Sequence, residues 1–170
     1  MPRPDLSRVT HFYHKYIQLV TEDDLLTAFE AHSAPFISYL KSIPEEKRLY
    51  RYAPGKWSIQ EMVQHLVDAE RVFSYRALCF ARMDTQPLPG FDENPYAEAS
   101  RADSRNWNEL MEEFECLRKA TILLYRSFNA EQLEAGGISS GNLKNYVLAL
   151  GFVILGHCAH HQSVLEERYL

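Results

Sequence analysis

Cysteine is scarce and its pattern is uninformative for metal or disulfide chemistry. Cys79, Cys116 and Cys158 are odd in number and none stands in a C-x-x-C pair, which argues against both a disulfide framework and a cysteine zinc knuckle. A reducing, cytoplasmic location is therefore expected. Basic charge is also short: 18 Lys and Arg against 23 Asp and Glu leave a formal net charge of -5. Such a field repels polyanions, no basic stripe offsets it, and nucleic acid is not an expected partner. Long apolar runs are missing too. The longest, VLALGFVILG, ends in histidines and falls short of the roughly 18 residues a bilayer span requires, so no membrane partner is expected. The opening segment MPRPDLSRVTHFYHKY lacks the apolar stretch of a secretory signal. No run alternates convincingly as a strand between hairpin turns, and no repeat, heptad series or low-complexity tract is present.

What is present is helical periodicity carried by a chain that is 46% hydrophobic, enough to build one core. A single domain over residues 1–170 is expected. The first long helix should begin near Thr21 or Asp23, behind acidic residues at 22–24, and end before Pro44, with Pro35 kinking it. Ser58 with Glu61 three residues later is a capping box, so the second helix should run from about Ile59 to Met83. DTQPLPGFDENPYAEAS then reads as a long crossover loop. The third helix is expected over Ser104 to Phe128, capped by Asp103 or Ser104. After the break GGISSG, the fourth should run from about Leu143 to near the C-terminus. The fold class that follows is all-α, an up-down four-helix bundle with a long crossover loop between helices 2 and 3.

Helical phase sorts the seven histidines. Residues advance by about 100° along a helix, so His157 and His161 share a stripe with Leu150, Val153, Ile154 and Val164, while His160 is rotated toward the rim. On the second helix His65 aligns with Met62, Ala69, Val72 and Phe73, again the apolar face. The i, i+4 spacing brings two imidazoles within reach of one ion, and a third from a facing helix would leave a coordination position open. Spacing alone leaves a second reading open, in which these are core histidines hydrogen-bonded to carbonyls. A zinc-protease helix is disfavoured, because HCAHH places Cys158 where H-E-x-x-H needs its glutamate.

Three segments, KWSIQEMVQHLVDAER at 56–71, PLPGFDENPY at 87–96 and GHCAHHQSV at 156–164, resemble the DinB-like (YfiT-like) superfamily in content, order and helical context, and the likeness runs nearly end to end. The resemblance implies a metal-binding four-helix bundle with His65, His157 and His161 as ligands to one divalent ion, with nickel and zinc as the expected occupants. It also implies a metal-dependent hydrolase or thiol-S-transferase, working on a small-molecule substrate with water or a low-molecular-weight thiol. Related bundles often pair, so a homodimer is expected. The alternative is a non-catalytic, metal-stabilised or stress-related binding protein.

Asp68 and Glu93 are the candidate catalytic carboxylates. Asp68, with Glu61, is placed to orient a ligand imidazole or move a proton; Glu61 has its capping role as the competing assignment, and Asp68 a solvated helix face. The segment from Gln86 to Ala97 is expected either to form the pocket mouth, with Phe91, Asp92, Glu93 and Asn94 over the metal, or to be a plain connection. Arg71, Tyr75 and Arg76 are candidates to grip an anionic substrate, against the commoner use of such arginines in ion pairs with the acidic run MEEFE. Trp57 is expected to anchor the helix start.

Overall fold

A computed structural model describes all residues, 1–170. After two short 3-10 turns, α1 spans His14–Gln18, followed by the first long helix, α2, Leu25–Lys41. Asp24 caps α2 by accepting from the Thr27 N–H at 2.9 Å, and the helix accommodates Pro35 and continues to Lys41. The second long helix, α3, spans Ile59–Ala81. Its capping box is complete: Ser58 Oγ accepts from the Glu61 N–H at 3.0 Å and Glu61 accepts from the Ser58 N–H at 2.9 Å. The crossover contains a short helix, α4, Glu93–Ser100, where only loop was expected; Asp92 caps it by accepting from the Asn94 N–H. The third long helix, α5, spans Trp107–Arg126, and its cap is Asn106. Asp103, expected in that role, instead accepts from Ser58 and Arg51 and ties the crossover to the start of α3.

A short α6, Ala130–Glu134, leads into the main departure from the all-helical expectation, an antiparallel hairpin of β1, Gly136–Ser139, and β2, Leu143–Tyr146. The fourth long helix, α7, therefore starts at Val147 rather than Leu143. A three-residue connection, Ser140, Gly141 and Asn142, turns the hairpin, with Ser140 and Gly141 at φ 49° and 82°. Four-residue strands with two leading glycines show too few positions for alternation to be visible in sequence.

The long helices close a four-membered ring in which α2 and α3 each pack against α5 and α7, so α2 sits diagonally across from α3 and α5 from α7, while α3 and α5, joined by the crossover, are neighbours. One core cluster gathers Phe29, Phe73, Tyr125 and Phe152; the other gathers Leu40, Leu66, Phe114 and Leu165. α2 and α7 run from the first cluster to the second, whereas α3 and α5 both run the opposite way. The long crossover thus returns the chain along the bundle, and strict alternation of helix sense is broken at that connection. α7 is long and apolar enough by composition to cross a membrane, yet 67% of its most apolar window is buried inside the bundle, as befits a core helix.

Between the two clusters lies a buried polar layer with one member from each long helix. Arg118 on α5 donates to Glu70 on α3 through Nε and Nη2 at 2.8–3.1 Å, to Ser33 Oγ on α2 at 3.1 Å, and to Cys158 Sγ on α7 at 3.2 Å.

The N-terminal segment is pressed onto α7 at a single small residue. A Cβ added to Gly156 would stand 1.8 Å from the Tyr16 carbonyl oxygen, a backbone atom with no side-chain freedom to yield. Gly156→Ala is accordingly expected to lift α1 off α7 and to destabilise the protein by about 2–3 kcal/mol, the upper part of the usual overpacking range. Urea denaturation measures it, and a change under about 0.5 kcal/mol would mean that α1 docks elsewhere.

Candidate metal centre

His65 from α3 and His157 and His161 from α7 meet at the boundary between the two core clusters, beside the polar layer. His65 Nε2 and His161 Nε2 each lie 3.1 Å from His157 Nε2, and one ligand nitrogen from each ring falls within 4.8 Å of the others. His65 and His157 are buried and His161 is partly so. Helical phase put these three rings on inward faces, and the structure brings them together.

The surroundings keep all three rings neutral. Burial lowers His65 to about 4. Burial, with repulsion from His65 and His160, lowers His161 to about 3, and burial with the neighbouring histidines holds His157 well below the ordinary imidazole value. Neutral imidazole is the metal-binding form. Two nitrogens each about 2.0–2.1 Å from one tetrahedral ion lie roughly 3.3 Å apart, so the observed Nε2 spacing fits a shared cation with little movement. His161 Nδ1 is buried without a hydrogen-bond partner.

The cluster forms part of the wall of a cavity of about 350 Å³. Aromatic rings build most of the rest. Trp57 stands 4.8 Å from His65 between ring centres, Tyr16 5.4 Å from His157 and edge-on, and Phe73 6.1 Å from His157. Trp57 is thus a wall of the site as well as a residue at the start of α3, and the helix-anchor expectation missed this. His160 reaches the rim as its phase suggested, half-buried and 5.6 Å from the Tyr16 ring.

The two candidate carboxylates are not brought together. Glu93, at the first turn of α4, lines the cavity with Phe91; Asp92 and Asn94 are taken up by the helix cap. Asp68 lies in a separate groove with Gln64, Arg71, Arg105 and Glu113, where Gln64 Nε2 donates to it at 3.0 Å and burial raises its pKa. Neither Asp68 nor Glu61 hydrogen-bonds to an imidazole, so the ligand-orienting role considered for them is not seen; Glu61 serves the capping box and Arg51. Arg71 pairs with Glu113 of the acidic α5 run at 2.6 Å, and Tyr75 is exposed. Arg76 alone of the three candidate grips reaches the cavity. Cys158, next to His157 in sequence, is buried against Arg118, and burial pushes its thiol up to about 11, so it is a neutral member of the polar layer.

Sequence reasoning missed Tyr13, Tyr16 and Ser140. The first two sit in the aromatic run HFYHKY, whose density was the available signal. Ser140 offered none, since its place depends on the hairpin.

The family model of the DinB superfamily matches residues 28–165, which hold all three histidines, and the chain belongs to that superfamily. The N-terminal wall of the cavity lies outside the matched region. Among solved structures the chain is similar to YfiT from Bacillus subtilis, described as a probable metal-dependent hydrolase with an unusual four-helix bundle topology. The TM-score is 0.69 at 17% identity, covering 98% of this chain and 90% of that one. At that identity the likeness speaks to the fold. No curated protein matches the chain in sequence.

Proposed function

We propose that the chain is a metal-dependent enzyme of hydrolase or thiol-transferase type, acting on a small molecule in the cavity beneath α1. The observation that carries this reading is the convergence of three imidazole nitrogens on a cavity wall rather than in sealed core. Three protein ligands with an open side are the arrangement of catalytic zinc sites, whereas structural sites close with four. A divalent ion held there supplies Lewis acidity toward a water or thiol in its open position. Three neutral nitrogens suit nickel and zinc alike. Family membership and the description of YfiT support the hydrolase reading by analogy.

The chain's own groups position and protect. Trp57, Tyr16 and Phe73 give the cluster an apolar wall, which strengthens charge interactions beside it. Glu93 is the one carboxylate lining the cavity, and we assign its Oε atoms to accept the proton of the attacking water or thiol. Asp68 faces the neighbouring groove and is assigned no substrate contact. The cytoplasm, where the three free cysteines stay reduced, is the proposed compartment.

Tag-free protein loaded with zinc or nickel, and offered ester and amide panels and a thiol with an electrophile, is expected to turn over at least one class. Chelation should abolish turnover, and Glu93→Gln should reduce kcat about 100-fold with metal content unchanged. A loaded protein that turns over nothing, yet loses thermal stability on chelation, would favour the alternative of an ion that staples α3 to α7.

A further inference from the structure

Arg76 is a buried cation without a counter-ion. It is 2% exposed, and no carboxylate oxygen lies within 4.0 Å of it, in contrast to Arg118, equally buried, which has Glu70. Its two hydrogen bonds both leave Nη2, to the Pro89 carbonyl at 2.9 Å and to Ser140 Oγ at 2.9 Å; Nε is buried with no acceptor at all. Neither partner carries charge. Burial disfavours its charged form, with the Tyr13 phenol alone opposing this. A guanidinium in such a place is ordinarily paired.

The same side chain lines the metal cavity. Its Cζ lies 5.9 Å from the centre of the Phe73 ring, and the His157 ring lies 6.1 Å from the same centre, so the cation and the histidine cluster share one aromatic neighbour in the cavity wall. Lys15 adds positive charge at the rim, its Nζ 4.7 Å above Tyr16. The only opposing charge in the lining is Glu93, exposed at the mouth and not paired with Arg76. Ser140 is held against Arg76 by a backbone at φ 49°, a conformation rare outside glycine, so the hairpin turn maintains a strained residue where it fixes the guanidinium.

We propose that Arg76 is the anion-binding subsite of the cavity and that the substrate is a small amphiphilic carboxylate, its acid group on Arg76, its apolar body against Phe73 and its reacting end toward the histidine cluster. One uncompensated positive charge matches one negative charge. The aromatic walls match an apolar middle, with Phe73 close to both the guanidinium and the cluster. The assignment of the reacting end rests on the proposed metal-dependent activity; the anion subsite does not.

The test is calorimetric titration of 3-phenylpropionate, 3-phenylpropionamide and phenyl phosphate into metal-free and zinc-loaded protein at constant ionic strength and neutral pH. The acid is expected to bind metal-free wild type at least about tenfold tighter than the amide. Arg76→Gln should erase that preference while zinc uptake stays at the wild-type level, and Arg76→Lys, which keeps the charge, should retain part of it. Equal binding of acid and amide to wild type, or an acid preference intact in Arg76→Gln, would overturn the subsite. Phenyl phosphate bound more than tenfold tighter than the acid would overturn the monoanion assignment. An acid preference in a protein that takes up no zinc would leave the subsite standing and remove the metal-dependent activity.

Discussion

His157→Ala is expected to lower zinc or nickel affinity by more than about 100-fold, since even the groups behind a metal ligand are commonly worth 10–100-fold. His157 is the hub of the cluster, with both other Nε2 atoms 3.1 Å from its own. Its loss leaves His65 and His161 on separate helices with no ring between them. His160→Ala is the control: its ring lies beside His161 at the rim, and metal stoichiometry should be unchanged. Equilibrium dialysis reads both variants, and thermal melts give an independent check. A bound ion stabilises the folded state in proportion to its affinity, so the rise in Tm on adding metal should vanish in His157→Ala and persist in His160→Ala.

The second large effect lies in the polar layer. Glu70→Ala strands the Arg118 guanidinium, which is only 2% exposed, and the expected loss is about 3–5 kcal/mol. The desolvation already incurred by Arg118 is what makes removal of one partner so much worse than removal of both. Glu70→Met combined with Arg118→Leu should recover most of the loss, because apolar groups of similar volume need no pairing. Urea denaturation separates the cases through the midpoint at constant m. A loss under about 1 kcal/mol in Glu70→Ala would mean that water reaches Arg118 and that the layer does not seal the core. The layer also bears on the site: Glu70 and Arg118 lie at the level of the bundle where His157 leaves the first core cluster, and Cys158 joins the two features through adjacent residues of α7.

Those elements whose determinants are local were legible in the sequence. The Ser58–Glu61 box marked the start of α3 to the residue because both of its hydrogen bonds lie within four positions of the chain. The inward placement of His65, His157 and His161 was legible for a related reason: helical phase depends only on spacing within one helix, and all three rings lie on regular helices. Features requiring two distant segments were not. Asp103 reads as a cap until the structure shows Ser58 and Arg51 reaching it from α3 and the loop before it. Four-residue strands become a hairpin only by packing at the end of α3, and Ser140 becomes a cavity residue only once that hairpin exists. Trp57 looks like a helix anchor from its position and is a site wall because α7 brings the cluster beside it. Asp68 and Glu93 show the same limit from the other side: both are plausible carboxylates in sequence, and only tertiary placement puts one in the cavity and the other in the next groove.

The most direct test of the metal centre is X-ray absorption at the zinc or nickel edge of tag-free protein loaded with one equivalent of ion. The account predicts an inner shell with three imidazole nitrogens at about 2.0–2.1 Å for zinc, completed by light-atom ligands from solvent. A shell made of oxygens, one containing sulfur, or one with a single imidazole would contradict it.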